Sequence, residues 1–201
     1  MSAALSELPE HTCQRCRLSS GRTHIVMPDG PRDSVMAVGE APGAKEDESA
    51  VGFAGPAGRN LDLAFEAAAG LARHQYARAN IVRCRPPGNR KPRKDEVQTC
   101  LGWLEQAVEA FRPRILLAVG QSAAEVLTPF RPGSSYIAYV DELLAAAERG
   151  GRTALPLYLN RFPVVAMPHS SPLAWNRKTP DGRPLRELGH RAIGLAAALA
   201  D

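Results

Sequence analysis

The chain has 201 residues, 44% hydrophobic and 23% charged, with a net charge of +4. That composition is ordinary for a soluble globular protein, and the length suits one core, so a single domain with an appendage is expected. Residues 1–9 carry neither a basic n-region nor a long apolar run, so no signal peptide or membrane span is expected and a cytoplasmic protein is implied.

Residues 1–33 are polar and turn-rich, with Cys13-Gln14-Arg15-Cys16 followed by Pro28-Asp29-Gly30-Pro31. They read as a loop segment wrapped on the outside and anchored through its two cysteines. Ser34-Val35-Met36-Ala37-Val38 is a buried strand, and it stops at the tight turn Gly39-Glu40-Ala41-Pro42-Gly43. In open α/β sheets the edge where strands stop is where ligands bind. Three acids lie there, Glu40, Glu46 and Asp47. They are either an acidic cap on the next helix or, for Glu40, a carboxylate aimed into a cleft as general base or water-positioner.

A helix is expected over 57–71, where Leu61, Ala64, Phe65 and Ala68 recur at helical spacing, and then a strand over 79–83 that carries Asn80. The following Pro/Gly-rich stretch packs together Arg83, Arg85, Arg90, Lys91, Arg93 and Lys94, a pattern that suits nucleic-acid phosphates or, otherwise, a solvated charge run. Residues 92–111 form an amphipathic helix with Cys100 on its inward stripe. A third strand covers 114–120, with a short helix over 121–127 behind it. Residues 130–161, with a helix over 139–149, read as an insertion. A fourth strand over 163–167 runs into Pro168-His169-Ser170-Ser171-Pro172, and a final helix spans 185–199. Strands alternating with helices make an α/β fold, three layers α/β/α around a central four-stranded parallel sheet.

The four cysteines, at 13, 16, 84 and 100, read as one metal site, since disulfides are not expected in this compartment. Zinc and an iron–sulfur cluster are both open on ligand count, as are four unrelated thiols. Parallel strands put their carboxyl ends on one edge, so Glu40, Asn80 and His169 can converge on one cleft.

These residues resemble the family 4 uracil-DNA glycosylases, which carry a four-iron, four-sulfur (4Fe-4S) cluster. The resemblance rests on Gly39-Glu40-Ala41-Pro42-Gly43 with Glu46-Asp47, on Gly52-Phe53-Ala54-Gly55-Pro56-Ala57-Gly58, on the run from Asn80 through Cys84 to Arg90, and on Cys100 and His169. It implies a monofunctional glycosylase that releases uracil from DNA and leaves an abasic site. Phe53 would stack on the flipped base, Asn80 would read its Watson–Crick edge, His169 would stabilise charge on the departing base, and Glu40 would handle the attacking water, with Asp47 the second choice for that role. Gly39, Ala41, Gly43, Ser170 and Ser171 would complete substrate binding. Arg85, Arg90, Lys91 and Arg177 would touch phosphate, and Cys13, Cys16, Cys84 and Cys100 would hold the cluster. A monomer is implied, associated with the nucleoid when acting on DNA.

The sequence departs from that family in two places. His169 is followed by Ser170 where the family has proline, and Gly52 precedes Phe53 where it has proline. A different loop after His169 leaves open another deaminated base such as hypoxanthine. A non-catalytic nucleic-acid-binding protein with a four-cysteine iron–sulfur or zinc site is the other alternative. The loop after Cys84 contains no histidine, which favours hydrolysis over the covalent trapping seen in a related branch.

Overall fold

The computed structural model describes residues 12–201, so the stretch 1–9 read above lies outside the described residues. The strands are β1 (Val35–Gly39), β2 (Ala77–Asn80), β3 (Ile115–Val119), β4 (Leu157–Tyr158) and β5 (Phe162–Met167). The helices are α1 (Ala44–Ser49), α2 (Pro56–Ala69), α3 (Lys94–Phe111), α4 (Gln121–Leu127), α5 (Tyr136–Gly150), α6 (Pro172–Trp175) and α7 (Leu185–Ala200).

One sheet runs in the order β2-β1-β3-β5-β4. Its first four strands are parallel, and β4 pairs antiparallel with β5. Every residue of β1, β3 and β5 is buried, as required of strands covered on both faces. The apolar stripe of α7 (Leu188, Ala192, Ile193, Ala196) packs on α2 and on β1, β3 and β5, while α3 packs against β2. Burying each large side chain there stabilises the fold by roughly 1.5–3 kcal/mol.

The sheet has five strands where four were expected. The added β4 is two residues long, too short for any periodicity, and its turn back into β5 runs through Leu159 and Asn160 at positive φ. The second strand is also shifted, ending at Asn80 instead of running through Arg83. Ile81 and Val82 are buried and apolar like strand residues, but the chain bends there, and their N–H groups donate to Gly39 O (2.9 Å) and Glu40 O (3.2 Å).

Residues 130–161 carry α5, which starts at Tyr136 because the Ser135 side chain accepts from Ala138 N. It buries Val140, Leu143, Leu144 and Ala147 and packs on β5 and α7. The segment is therefore the crossover that two parallel strands, β3 and β5, require. The N-terminal segment lies against β2: Asp29 and Arg78 exchange backbone hydrogen bonds (3.0 and 2.8 Å), and their side chains form an ion pair at 2.7 Å.

Candidate functional site

Register sets the site. Gly39 is paired with Asn80 and Val119 with Met167, so the loops after β1, β2, β3 and β5 leave the sheet side by side. The strand order reverses direction at β1, the place where open α/β sheets form ligand crevices. A cavity of about 330 Å³ opens there, lined by Glu40, Phe53, Asn80, Asn89 and His169. Gly39, Ala41 and Gly43 also line it. Asn89 is a residue that the sequence reading missed, although it sits in the Pro-Pro-Gly-Asn run quoted for the resemblance.

Close approach requires two of the glycines. A Cβ on Gly39 would lie 2.5 Å from Asn80 Oδ1 and 2.8 Å from Phe53 Cζ, and one on Gly58 would lie 1.8 Å from Phe53 O. Phe53 itself has φ of 55°, a left-handed conformation that costs a non-glycine residue on the order of 1–3 kcal/mol. Arg73 holds that turn from outside, donating to Gly52 O (2.6 Å) and Phe53 O (3.3 Å). The Arg73 guanidinium is in turn paired with Asp62 at 3.0 Å, and Asp62 also accepts from the Tyr76 hydroxyl. Nothing in the local pattern around Arg73 announces this contact with a loop twenty residues earlier.

The three acids divide. Glu40 lines the cavity. Glu46 lines it too, but ties the loop to itself, accepting from Gly43 N (3.0 Å) and Gly55 N (2.7 Å). Asp47 is not brought to the cavity. It is 4% exposed, and its Oδ1 accepts from the backbone of Thr23 (2.9 Å) and His24 (3.2 Å), a latch for the N-terminal segment.

His169 is set by the chain around it. The Tyr136 hydroxyl (2.7 Å) and Gly120 N–H (2.9 Å) both donate to Met167 O, and Asn60 Nδ2 donates to Ser170 O at 3.0 Å. Ser171 N–H donates to His169 Nδ1 at 3.1 Å, which assigns the neutral ring's proton to Nε2. Desolvation pushes the imidazole below its ordinary 6.5, with the Glu40 charge opposing. A neutral donor beside a carboxylate results.

Ser170 and Ser171 do not line the cavity. Ser170 is fully buried and its hydroxyl has no partner among the described residues, while Ser171 caps α6 by accepting from Ala174 N. Two residues further on, Leu173 is 82% exposed, next to the cavity's histidine loop.

Of the cations expected on phosphate, three hold internal partners. Arg85 Nε donates to Asn89 Oδ1 (2.7 Å), Lys91 pairs with Glu125 (3.1 Å), and Arg90 grips Glu96 with both terminal nitrogens (2.8 and 2.6 Å). Arg177 is exposed. Glu96 is fully buried, also accepts from Arg93 N (2.7 Å), and the Arg90 guanidinium holds its carboxyl down at about 2.

Cys13, Cys16, Cys84 and Cys100 line a second, enclosed cavity together with Leu18, Ile25 and Trp103. Burial pushes the Cys100 thiol up to about 11 and raises Cys84, against the Arg22 guanidinium 3.5 Å from the Cys84 sulfur. Among the described residues no three His, Cys, Asp or Glu form a group able to hold a metal ion. Trp103 Nε1 is buried without a hydrogen-bond partner among the described residues. Among the same residues no helix is long and apolar enough to cross a membrane.

Comparison with known proteins adds the following. The sequence profile of the uracil DNA glycosylase superfamily matches residues 27–188. The type-4 uracil-DNA glycosylase of Sulfurisphaera tokodaii is 36% identical over 117 residues, 58% of this chain and 53% of that protein. Its counterpart in Saccharolobus solfataricus is 36% identical over 116 residues (57% and 54%), and that of Pyrobaculum aerophilum 40% over 116 (57% and 59%). The match therefore spans somewhat over half the length of these relatives.

Proposed function

The chain belongs to the uracil DNA glycosylase superfamily, and from that premise we propose that it hydrolyses the N-glycosidic bond of uracil in DNA, leaving an abasic site. The observation that carries the reading is the convergence of Glu40, Phe53, Asn80 and His169 on one cavity at the carboxyl edge of the sheet. We also read that sheet, with β1, β3 and β5 buried throughout, as the middle of three layers.

The base must leave the stack to reach such a pocket, at a cost of a few kcal/mol. Leu173 is placed to offset that cost: a leucine 82% exposed beside the His169 loop is a wedge that can fill the space of the extruded base. Phe53, held rigid in its left-handed turn, offers a ring face to the base. The Asn80 carboxamide, packed against Gly39, supplies both a donor and an acceptor; held in one orientation, accepting from N3–H and donating to O4, it matches uracil and mismatches cytosine.

As the glycosidic bond breaks, its electron pair stays on the base and positive charge develops on the sugar. His169 Nε2–H donates to the base oxygen that becomes negative, and the Glu40 carboxylate faces the cationic sugar while orienting the attacking water. Asn89 is the second polar group in the cavity that can hold that water. Proton transfer from water to Glu40 completes hydrolysis, and the DNA backbone is left intact. Glycoside hydrolases meet an oxocarbenium-like transition state with carboxylates in the same way.

Four cysteines lining one cavity are a donor set that an iron–sulfur cluster or zinc would accept, and the likeness to the family 4 enzymes favours the cluster. The orphaned Trp103 N–H is a donor available to such a group's sulfurs. Bound there, the cluster supplies no step of the hydrolysis; it ties the N-terminal segment, the loop after β2 and α3 together. The test is free uracil measured chromatographically after incubation with uracil-containing DNA, for the wild type and for Glu40→Gln and His169→Ala. Loss on the order of a hundredfold or more in both variants supports the assignment, and unchanged release in either removes that residue from the mechanism.

A further inference from the structure

One residue lines the cysteine cavity and bonds to the backbone of a residue that lines the other. Arg83 is 2% exposed, among the largest fully buried side chains, and lines the cysteine cavity. Its Nη1 donates to Asn80 O at 2.9 Å and its Nη2 to Trp103 O at 3.1 Å. Its own carbonyl accepts from Val26 N (2.9 Å), and its backbone N–H donates towards the Cys100 sulfur. We infer that Arg83 is a positioning residue that couples the cysteine cavity to Asn80, the group that reads the base.

The geometry leaves Asn80 in need of such a hold. It is the last residue of the edge strand β2: on the inner side Gly39 pairs with it and Ile81 and Val82 donate to Gly39 O and Glu40 O, while on the outer side the bridge to the N-terminal segment stops at Arg78. The Asn80 carbonyl is fixed by the guanidinium fork, which is planar and satisfies two acceptors at a set separation. The second acceptor, Trp103 O, lies on α3 one turn beyond Cys100, so the fork spans from the base pocket to the helix that carries a cysteine. Cys84 follows Arg83 directly in the chain. Ligated sulfurs are thiolates, so occupancy of the cavity adds negative charge beside the buried guanidinium and holds Arg83 in place. The position of Asn80 thereby depends on whether the cysteine-bearing elements are drawn together.

The inference rests on the assignment of Asn80 to the base pocket, so the test carries one measurement that does not depend on activity. Arg83→Met keeps the length and loses the fork; Arg83→Lys keeps the charge and can reach one carbonyl at a time. The purified proteins are compared with wild type for iron content, for amide hydrogen exchange in the segments 77–84 and 98–104, and for uracil affinity measured by competition. With iron content near wild type, exchange rises in both segments, uracil affinity falls on the order of tenfold to a hundredfold in Arg83→Met, and Arg83→Lys lies between. Wild-type exchange in 77–84, or wild-type uracil affinity with full iron, overturns the inference. Should Arg83→Met fail to fold, Arg83→Lys decides on the same two readouts. A wild-type protein that neither binds nor releases uracil defeats the functional reading instead, and the exchange result still judges the link.

Discussion

Glu96 is the residue whose removal has the most calculable consequence. It sits fully buried at the start of α3, receives three hydrogen bonds, two from the 31%-exposed Arg90 and one from Arg93 N, and lines the cysteine cavity. The carboxyl lies at about 2 in the fold against an ordinary 4.5, first because of the Arg90 bonds, with burial opposing. At about 1.4 kcal/mol per pH unit, and allowing for solvent at Arg90, ionised Glu96 stabilises the fold by about 2–3 kcal/mol. A depressed carboxyl contributes fully above its unfolded value and loses that contribution as pH falls from 4.5 towards 2. Glu96→Gln is therefore expected to unfold about 2–3 kcal/mol more easily at pH 7, with the gap to wild type about 1.4 kcal/mol smaller at pH 3.5. Urea unfolding followed by the fluorescence of Trp103 and Trp175 at both pH values, on metal-free protein because acid strips an iron–sulfur cluster, measures it. A variant as stable as wild type at pH 7, or a gap of the same size at pH 3.5, would refute the reasoning.

Four further outcomes are expected. Gly58→Ala forces a Cβ to 1.8 Å from Phe53 O, so the Phe53 turn must move; base release should drop with a stability loss of about 1–3 kcal/mol, both measurable on one preparation. Leu173→Ala should slow release from duplex DNA and spare release from single strands, and equal loss on both would rule out a wedge. His169 is held below 6.5, so the unfolded chain takes up its proton first and stability should fall as pH drops through 6.5; His169→Gln should flatten melting temperature between pH 7.5 and 5.5. Protein purified without added metal should be brown with bound iron, and a colourless, zinc-loaded protein would defeat the cluster assignment.

Much of the architecture is legible because parallel strands buried on both faces are continuous apolar runs, as in residues 115–119 and 162–167. β4 escaped because two residues have no period, and β2 was placed late because Ile81 and Val82 are as apolar and buried as strand residues while the chain already bends. In the site, Glu40, Asn80 and His169 could be placed from strand ends alone. What the sequence hides is pairing at a distance. Arg90 and Lys91 read as free cations, and only the fold shows Glu96 and Glu125 reaching them. Asp47 read as a cleft acid, yet its turn of α1 faces the N-terminal segment. Arg73 lacked any local signal of what it would face, whereas Asn89 stood in the quoted Pro-Pro-Gly-Asn run and was passed over.

The central claim is tested most directly with a labelled oligonucleotide bearing a single uracil, single-stranded and duplex, incubated with the iron-loaded protein and split into untreated and alkali-treated halves. An intact strand without alkali and cleavage at the uracil position after it are expected, the signature of base release without backbone scission. A strand that survives alkali, with the protein folded and binding DNA, would contradict it.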